Sequence, residues 1–115
     1  MSMRRAGPPA RRLLALTGKE GPVAIFVKDP GAMIDYAVAW TAGYLSGEQI
    51  TESVWTVAPD TAGGLTVVAG RIDAGKTVVT LSAGRLGQLY RVTNRIRLSD
   101  GRSDERTLVI RVEER

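Results

Sequence analysis

The sequence contains no cysteine and no histidine. Without cysteine the chain has no disulfide bond and no thiol chemistry, and without histidine it lacks the commonest general base and metal ligand. Aromatic residues are scarce, at two Trp, three Tyr and one Phe, so a core must consist mainly of Val, Leu and Ile. No apolar run approaches the roughly 18 residues that a transmembrane helix needs. We therefore expect no metal, no cofactor and no contact with a membrane.

The first 20 of the 115 residues differ in composition from the remainder, because they are rich in arginine and show no period of two. The arginines precede a short apolar run that Gly18, Lys19 and Glu20 end, which is too short for a secretion signal. We interpret residues 1–20 as a basic arm, either a flexible tail or a segment that orders on a neighbouring subunit. A short helix over residues 10–16 is a further possibility. The candidate contact residues of the arm are Arg4, Arg5, Arg11 and Arg12.

Residues 21–115 are sufficient for one domain, and their turn signals recur every 8–12 residues, as in all-β sandwiches and barrels. In the second strand the alternation predicts Ile34, Tyr36, Val38 and Trp40 facing inward, with Asp35, Ala37 and Ala39 facing outward. Seven strands are predicted, near residues 22–28, 33–42, 50–58, 65–70, 76–82, 88–99 and 104–113.

The clearest pattern lies in the last third of the chain. Apolar residues fall on even positions at Tyr90, Val92, Ile96 and Leu98, and the same alternation returns at residues 108–112. A period of two indicates strands with one buried and one solvent-facing side. Between the two runs stand Asp100 and Gly101, a pair typical of hairpin turns because both residue types tolerate positive φ. The pattern predicts a long β-hairpin.

Two features favour an immunoglobulin-like antiparallel sandwich. Tyr90 follows a turn that contains Gly87, as in a tyrosine corner, where the phenol hydroxyl bonds to the backbone a few residues upstream. Trp55 falls on the third predicted strand, where such sandwiches place a core Trp, and either Val38 or Trp40 is a candidate to face Val92 from the second strand.

Residues 70–77 read Gly-Arg-Ile-Asp-Ala-Gly-Lys-Thr and match the phosphate-binding pattern G-x-x-x-x-G-K-[ST]. That motif needs a helix to begin at the Lys, so that N–H groups and the helix dipole hold phosphate. The residues that follow are β-branched and predict a strand, so we expect a loop between antiparallel strands. The carboxylates lie mostly in turn-like contexts, and no pair is predicted to act in catalysis.

Basic side chains form the strongest predicted surface feature. Arg91, Arg95 and Arg97 share the outward side of one strand of the hairpin and Arg111 that of the other, while Arg102 and Arg106 flank the turn. Three interpretations stay open, namely cross-strand ion pairs, a protein–protein contact in which arginine is enriched, and phosphate binding. Asp104, Glu105, Glu113 and Glu114 are placed to neutralise part of this arginine stripe.

Over residues 23–115 the sequence resembles small structural proteins of tailed bacteriophages, described as fibre–tail adaptor or head–tail region proteins. The resemblance implies a non-enzymatic virion protein without a cofactor, made in the host cytoplasm and present in several copies of a symmetric assembly. It also implies tail, neck or capsid proteins as partners. The motifs that carry it are Lys28-Asp29-Pro30, Ile34-Asp35-Tyr36 with Trp40, Gly47-Glu48-x-Ile50 with Ser53 and Trp55, Gly84-x-x-Gly87-x-x-Tyr90-Arg91-Val92-Thr93-Asn94, Asp100-Gly101-Arg102, and Ile110-Arg111-Val112-Glu113-Glu114-Arg115.

Other functions fit the same residues. One is a carbohydrate- or receptor-binding module on the tail, with Tyr44, Trp40 or Trp55 lining a site if they are exposed. A second is a capsid decoration protein. A third is a nucleic-acid binder, which we do not expect because the arginine stripe lacks the exposed aromatic residues on which bases stack.

Overall fold

The computed structural model describes residues 14–17, 24–40, 45 and 47–114. These residues form eight β-strands and no helix, so none of the described segments is a helix that could cross a membrane. The strands are β1 Leu14–Thr17, β2 Ala24–Lys28, β3 Ile34–Ala39, β4 Ile50–Ala58, β5 Thr66–Asp73, β6 Lys76–Ser82, β7 Leu89–Leu98 and β8 Ser103–Val112.

The strands form two four-stranded sheets that pack as a β-sandwich, which confirms the predicted all-β fold. The strand order is β1-β3-β6-β5 in the first sheet and β2-β8-β7-β4 in the second. All pairings are antiparallel except two, because β1 runs parallel to β3 and β2 runs parallel to β8. The sequence did not predict these parallel pairings, since partners distant in the chain leave no local signal.

Strand β1 lies within the segment predicted to be an arm. Its residues pair in register with β3, with Leu14 opposite Tyr36 and Thr17 opposite Ala39. The helix considered over residues 10–16 is therefore wrong where the structure describes it, and these four residues are not a flexible tail. The four arm arginines lie outside the described residues.

The core consists of the inward positions of both sheets. On β7, Tyr90, Val92, Ile96 and Leu98 are at most 1% exposed, as the alternation predicts. They pack against inward residues of the first sheet. Burying each large apolar side chain contributes on the order of 1.5–3 kcal/mol to the stability of the fold. The inward residues of the first sheet include Tyr36, Val38, Val79 and Leu81.

The buried Trp of the sandwich is Trp40 and not Trp55. Trp40 is 1% exposed, and its Nε1 donates hydrogen bonds to Thr77 Oγ1 (3.0 Å) and Asn94 Oδ1 (3.2 Å). Trp55 is only half-buried, because β4 is the edge strand of the second sheet. Its indole packs instead beside Gly70 on β5, where a Cβ would lie 3.1 Å from the ring.

The outer side of the first sheet is buried at the centre of β3 and β6, whereas the edge strand β5 is largely exposed. Asp35, Ala37, Val78 and Thr80 point away from the core, yet all four are buried. The Thr80 hydroxyl donates a 2.6 Å hydrogen bond to Asp35 Oδ1. The expectation that Asp35 and Ala37 face outward therefore holds for direction but not for exposure.

The corner before β7 contains the hydrogen bond expected of a tyrosine corner. The Tyr90 hydroxyl accepts a 2.9 Å hydrogen bond from the backbone N–H of Arg85, five residues upstream. Gly87 has a φ of +84°, and its N–H donates to the Val112 carbonyl (2.7 Å) at the end of β8. These bonds fix the entry of β7 against β8.

The turns of the β7–β8 and β5–β6 hairpins both contain a glycine with positive φ. Between β7 and β8 the Gly101 N–H donates to the Leu98 carbonyl (2.9 Å). Only Gly101 of the Asp100-Gly101 pair has positive φ, and Asp100 instead accepts the N–H of Arg102 (3.0 Å) on its side chain. Between β5 and β6, Ala74 and Gly75 form a two-residue turn with φ of 48° and 89°. No helix begins at Lys76, so residues 70–77 lack the geometry of a phosphate-binding loop.

Candidate functional site

The candidate site is the solvent-facing side of the second sheet. Arg91, Arg95, Arg97 and Arg111, predicted as a stripe, are all exposed there. Their positions alternate with the buried core residues of β7 and β8, so the hairpin pattern places them correctly. The structure thus brings together the four predicted arginines that it describes.

Two of these four arginines are neutralised by ion pairs. Arg97 Nε lies 3.2 Å from Glu52 Oε1 of β4, and Arg111 Nε lies 3.0 Å from Glu113 Oε2. Glu113 was predicted in this role and Glu52 was not, because the pairing of β4 with β7 is invisible in the sequence. Arg91 and Arg95 make no ion pair with any described residue, although Glu105 is opposite Arg95 in register. The stripe therefore divides into a paired and an unpaired half.

Arg102 and Arg106, the two arginines predicted to flank the turn, make different contacts. Arg102 bonds Asp100 (2.8 Å) and Glu48 (3.0 Å), tying the β7–β8 turn to the segment before β4. The hydrogen bond from the Arg102 N–H is the main cause that lowers the pKa of the exposed Asp100. Arg106 does not flank the turn on the outer side, because it has the inward parity of Leu108. Its guanidinium lies over the Trp40 ring, 5.1 Å from the centroid.

Apolar side chains surround Arg91. A transverse row crosses all four strands of the second sheet, with Ile25 opposite Val109, Val109 opposite Arg91, and Arg91 opposite Ala58. Together with Leu89 and Pro59, these residues line an open groove of about 650 Å³. We call this feature the Arg91 groove. Ile25 is 62% exposed and Leu89 is 51% exposed, so two large aliphatic side chains of this groove face solvent.

Sequence reasoning missed the apolar part of this groove. Leu89 has the same outward parity as Arg91, so the alternation itself marks it as exposed. In β2 both sides are apolar, and the pattern could not tell whether Ile25 or Phe26 enters the core. The structure packs Phe26 against the core, with its ring 5.4 Å from that of Tyr36, and leaves Ile25 outside.

A second cavity, of about 430 Å³, opens at the other end of β4. Leu45, Ile50, Ile72 and Glu48 are among its lining residues, and Glu48 is already paired with Arg102. Within the described part of the chain, no group of three or more His, Cys, Asp or Glu side chains could hold a metal.

The two Trp residues considered for glycan binding do not form an open aromatic surface. Trp40 is buried, and the Nε1 of the half-buried Trp55 is inaccessible to solvent. Tyr44 lies outside the described residues. The described structure therefore offers apolar and basic contacts on one sheet as its most prominent surface.

This combination of a rigid β-sandwich with one exposed apolar and basic side defines an interaction module. A family model described as Podophage GP4 fiber-tail adaptor protein gp77 matches residues 28–111, and the chain belongs to that family. The match confirms the resemblance to phage fibre–tail adaptors, supports a structural adaptor role and implies a place in the virion. No curated protein matches the chain.

Two solved structures show a weaker likeness. The cysteine protease inhibitor EhICP2 from Entamoeba histolytica is 14% identical, with 90% of this chain and 97% of that chain covered and a TM-score of 0.47. Amebosin is 12% identical, with 89% and 99% covered and a TM-score of 0.38. Both scores are below 0.5, so neither likeness establishes a shared fold.

Proposed function

We propose that this protein is a non-enzymatic adaptor of the bacteriophage virion that joins tail, fibre or neck components through the outer side of its second sheet. The family match supports the adaptor role. The single structural observation that carries the choice of surface is the exposure of Ile25 and Leu89 beside the unpaired Arg91. Exposed apolar patches of this kind mark sites of protein association, and arginine is enriched in such interfaces.

The arm belongs to the same proposal. Residues 1–13 precede β1 and carry all four predicted arm arginines. We propose that this segment contacts a neighbouring virion protein or a second copy of the chain in a symmetric assembly. Positive charge on an arm favours an acidic partner surface, and it also accelerates association.

We further propose that the sandwich is of the immunoglobulin type. The orders β3-β6-β5 and β8-β7-β4 correspond to strands B-E-D and G-F-C of that fold. The hydrogen bond from Arg85 to the Tyr90 hydroxyl is the corresponding tyrosine corner. An experimental structure of the isolated protein, with strand pairing read from backbone hydrogen bonds, tests this assignment.

The adaptor proposal is tested in the phage itself. A nonsense codon in the gene for this chain should yield particles that lack one or more tail components and fail to infect. Purified protein added together with the missing tail components should bind in a fixed copy number and restore infectivity, as measured by quantitative mass spectrometry and plaque counts. Particles that keep every tail component and full infectivity without this chain would exclude the proposal.

A further inference from the structure

The Arg91 groove has the composition of a docking site. Its transverse row contains one charged residue, Arg91, with Val109 and Ala58 directly opposite it on the two adjacent strands. The row ends at Ile25 on β2, and Leu89 lies two residues before Arg91 on the same side of β7. The aliphatic side chains line the groove together with Arg91, which is itself exposed.

Arg91 pairs with no carboxylate among the residues that the structure describes. Arg97 and Arg111 on the same outer surface are paired at 3.2 and 3.0 Å, whereas no described acidic side chain pairs with Arg91. A guanidinium with apolar neighbours attracts a carboxylate more strongly than a fully hydrated one, because the pair is less screened. Arginine with adjacent apolar anchors is also the residue pattern of interface hot spots.

A second copy of the chain fits this surface poorly. A symmetric contact centred on the row would bring two copies of Arg91 together, and the row itself contains no acidic residue. Like charges brought together at an interface cost several kcal/mol. Charge complementarity therefore favours an acidic occupant from a different protein.

We propose that the Arg91 groove binds an acidic–apolar segment of another tail protein. In this contact an Asp or Glu side chain pairs with Arg91, and flanking aliphatic or aromatic side chains cover Ile25 and Leu89. The inference rests on the adaptor function proposed above and names the surface and the chemistry of the partner. The unpaired Arg95 is not part of the site, because its neighbours in register are Val54 and Glu105 and it lies outside the groove.

The test uses tail particles that lack this chain, reconstituted with purified full-length variants. Arg91→Glu should reduce binding to the particles at least tenfold, since an interface charge pair is lost and a repulsion is added. Arg71→Glu is the matched control, with the same charge change at an exposed position of β5 in the first sheet, outside the candidate site, and should stay within about twofold. Leu89→Ser, which keeps the arginine, should also weaken binding, and thermal melting followed by circular dichroism checks that each variant is folded.

A suppressor selection then identifies the partner group. Phage carrying Arg91→Glu should regain infectivity through Asp→Lys, Glu→Lys or equivalent changes in another tail protein. Suppressors confined to this chain would overturn the proposal in favour of a self-contact. Equal losses for Arg91→Glu and Arg71→Glu, or no loss for Arg91→Glu and Leu89→Ser, would also overturn it. In those cases wild-type protein still binds the particles, so the adaptor function itself is not affected, whereas failure of the wild type to bind contradicts that function.

Discussion

The indole Nε1 of Trp40 donates a 3.2 Å hydrogen bond to Asn94 Oδ1 in the interior, and so joins the end of β3 to the middle of β7. The same oxygen accepts the Thr77 hydroxyl at 2.6 Å, while Asn94 Nδ2 donates to Ser53 Oγ at 2.9 Å. One buried amide therefore links both sheets and the edge strand β4. Such a network fixes which residues face each other across a core that aliphatic packing alone specifies less sharply.

Replacing Asn94 with alanine should destabilise the protein by about 2–4 kcal/mol, because buried donors on Trp40 and Thr77 lose their shared acceptor. Urea unfolding followed by Trp fluorescence measures this loss. Thr93→Ala is the control, since Thr93 bonds only the Thr107 hydroxyl on the outer side and should cost less than about 1 kcal/mol. In a double-mutant cycle, Asn94→Ala and Thr77→Val should be non-additive, and full additivity would contradict the network.

The sequence predicted this part of the fold only incompletely. The alternation in β7 predicts the strand and its core side. It gives no reason for a polar residue at the inward position 94, because the partners of Asn94 are distant in the chain. The patterns predict both Trp40 facing inward and Trp55 at the core position of the third strand, and only the sheet order shows that Trp55 lies on an edge strand.

The candidate site was predicted in a similar, partial way. Outward parity placed all four stripe arginines correctly, because parity is a local property. Their ion pairs and the Arg91 groove depend on which strands are neighbours, and Ile25 reaches Arg91 only through the parallel pairing of β2 with β8. Residues brought together by pairings between distant strands were therefore the ones that sequence patterns missed.

Gly84 should tolerate alanine much less well than Gly87. Both glycines have positive φ, at +111° and +84°, so a Cβ is strained at either position. At Gly84 that Cβ would also lie 2.7 Å from Val112 Cγ2, whereas at Gly87 nothing lies within 4 Å. We expect about 1–2 kcal/mol of loss for Gly87→Ala, and about 1–3 kcal/mol more for Gly84→Ala because of core overpacking. Chemical denaturation measures the free energy of unfolding of the two variants. Equal losses would show that Val112 moves away from the added Cβ without a loss of stability.

Stability should rise with pH above 8 because of Lys28. This side chain is fully buried, and its Nζ donates to the carbonyls of Asp29 (2.8 Å) and Ala83 (2.7 Å). Burial lowers the pKa of Lys28 from 10.5 to about 8, an effect that nearby Asp29 partly opposes. Below pH 8 both folded and unfolded chains hold the proton, and between pH 8 and 10.5 only the unfolded chain does. The free energy of unfolding should therefore increase across this window, by at most about 3 kcal/mol.

Lys28→Met is the control for that pH dependence. The neutral lysine keeps two N–H groups for its two carbonyl acceptors, so deprotonation removes a buried charge without breaking the contacts. The difference in unfolding free energy between the wild type and Lys28→Met should grow with pH from 8 to 10.5. Taking this difference removes the contributions of ionisable groups that the two proteins share. A difference that is constant across these pH values would contradict a lowered pKa for Lys28.

Truncation should separate the arm from the fold, because β1 divides the first 20 residues. Deleting residues 1–13 keeps Leu14–Thr17 paired with β3, and we expect the melting temperature to change little. Deleting residues 1–20 removes β1 and opens the edge of β3, so we expect a loss of about 2 kcal/mol or more from unmade backbone hydrogen bonds. Neither truncated protein should join particles that lack this chain, since both have lost Arg4, Arg5, Arg11 and Arg12. If the chain without residues 1–13 incorporates at full occupancy, the arm makes no contact needed for assembly, and the outer side of the second sheet must supply the binding by itself.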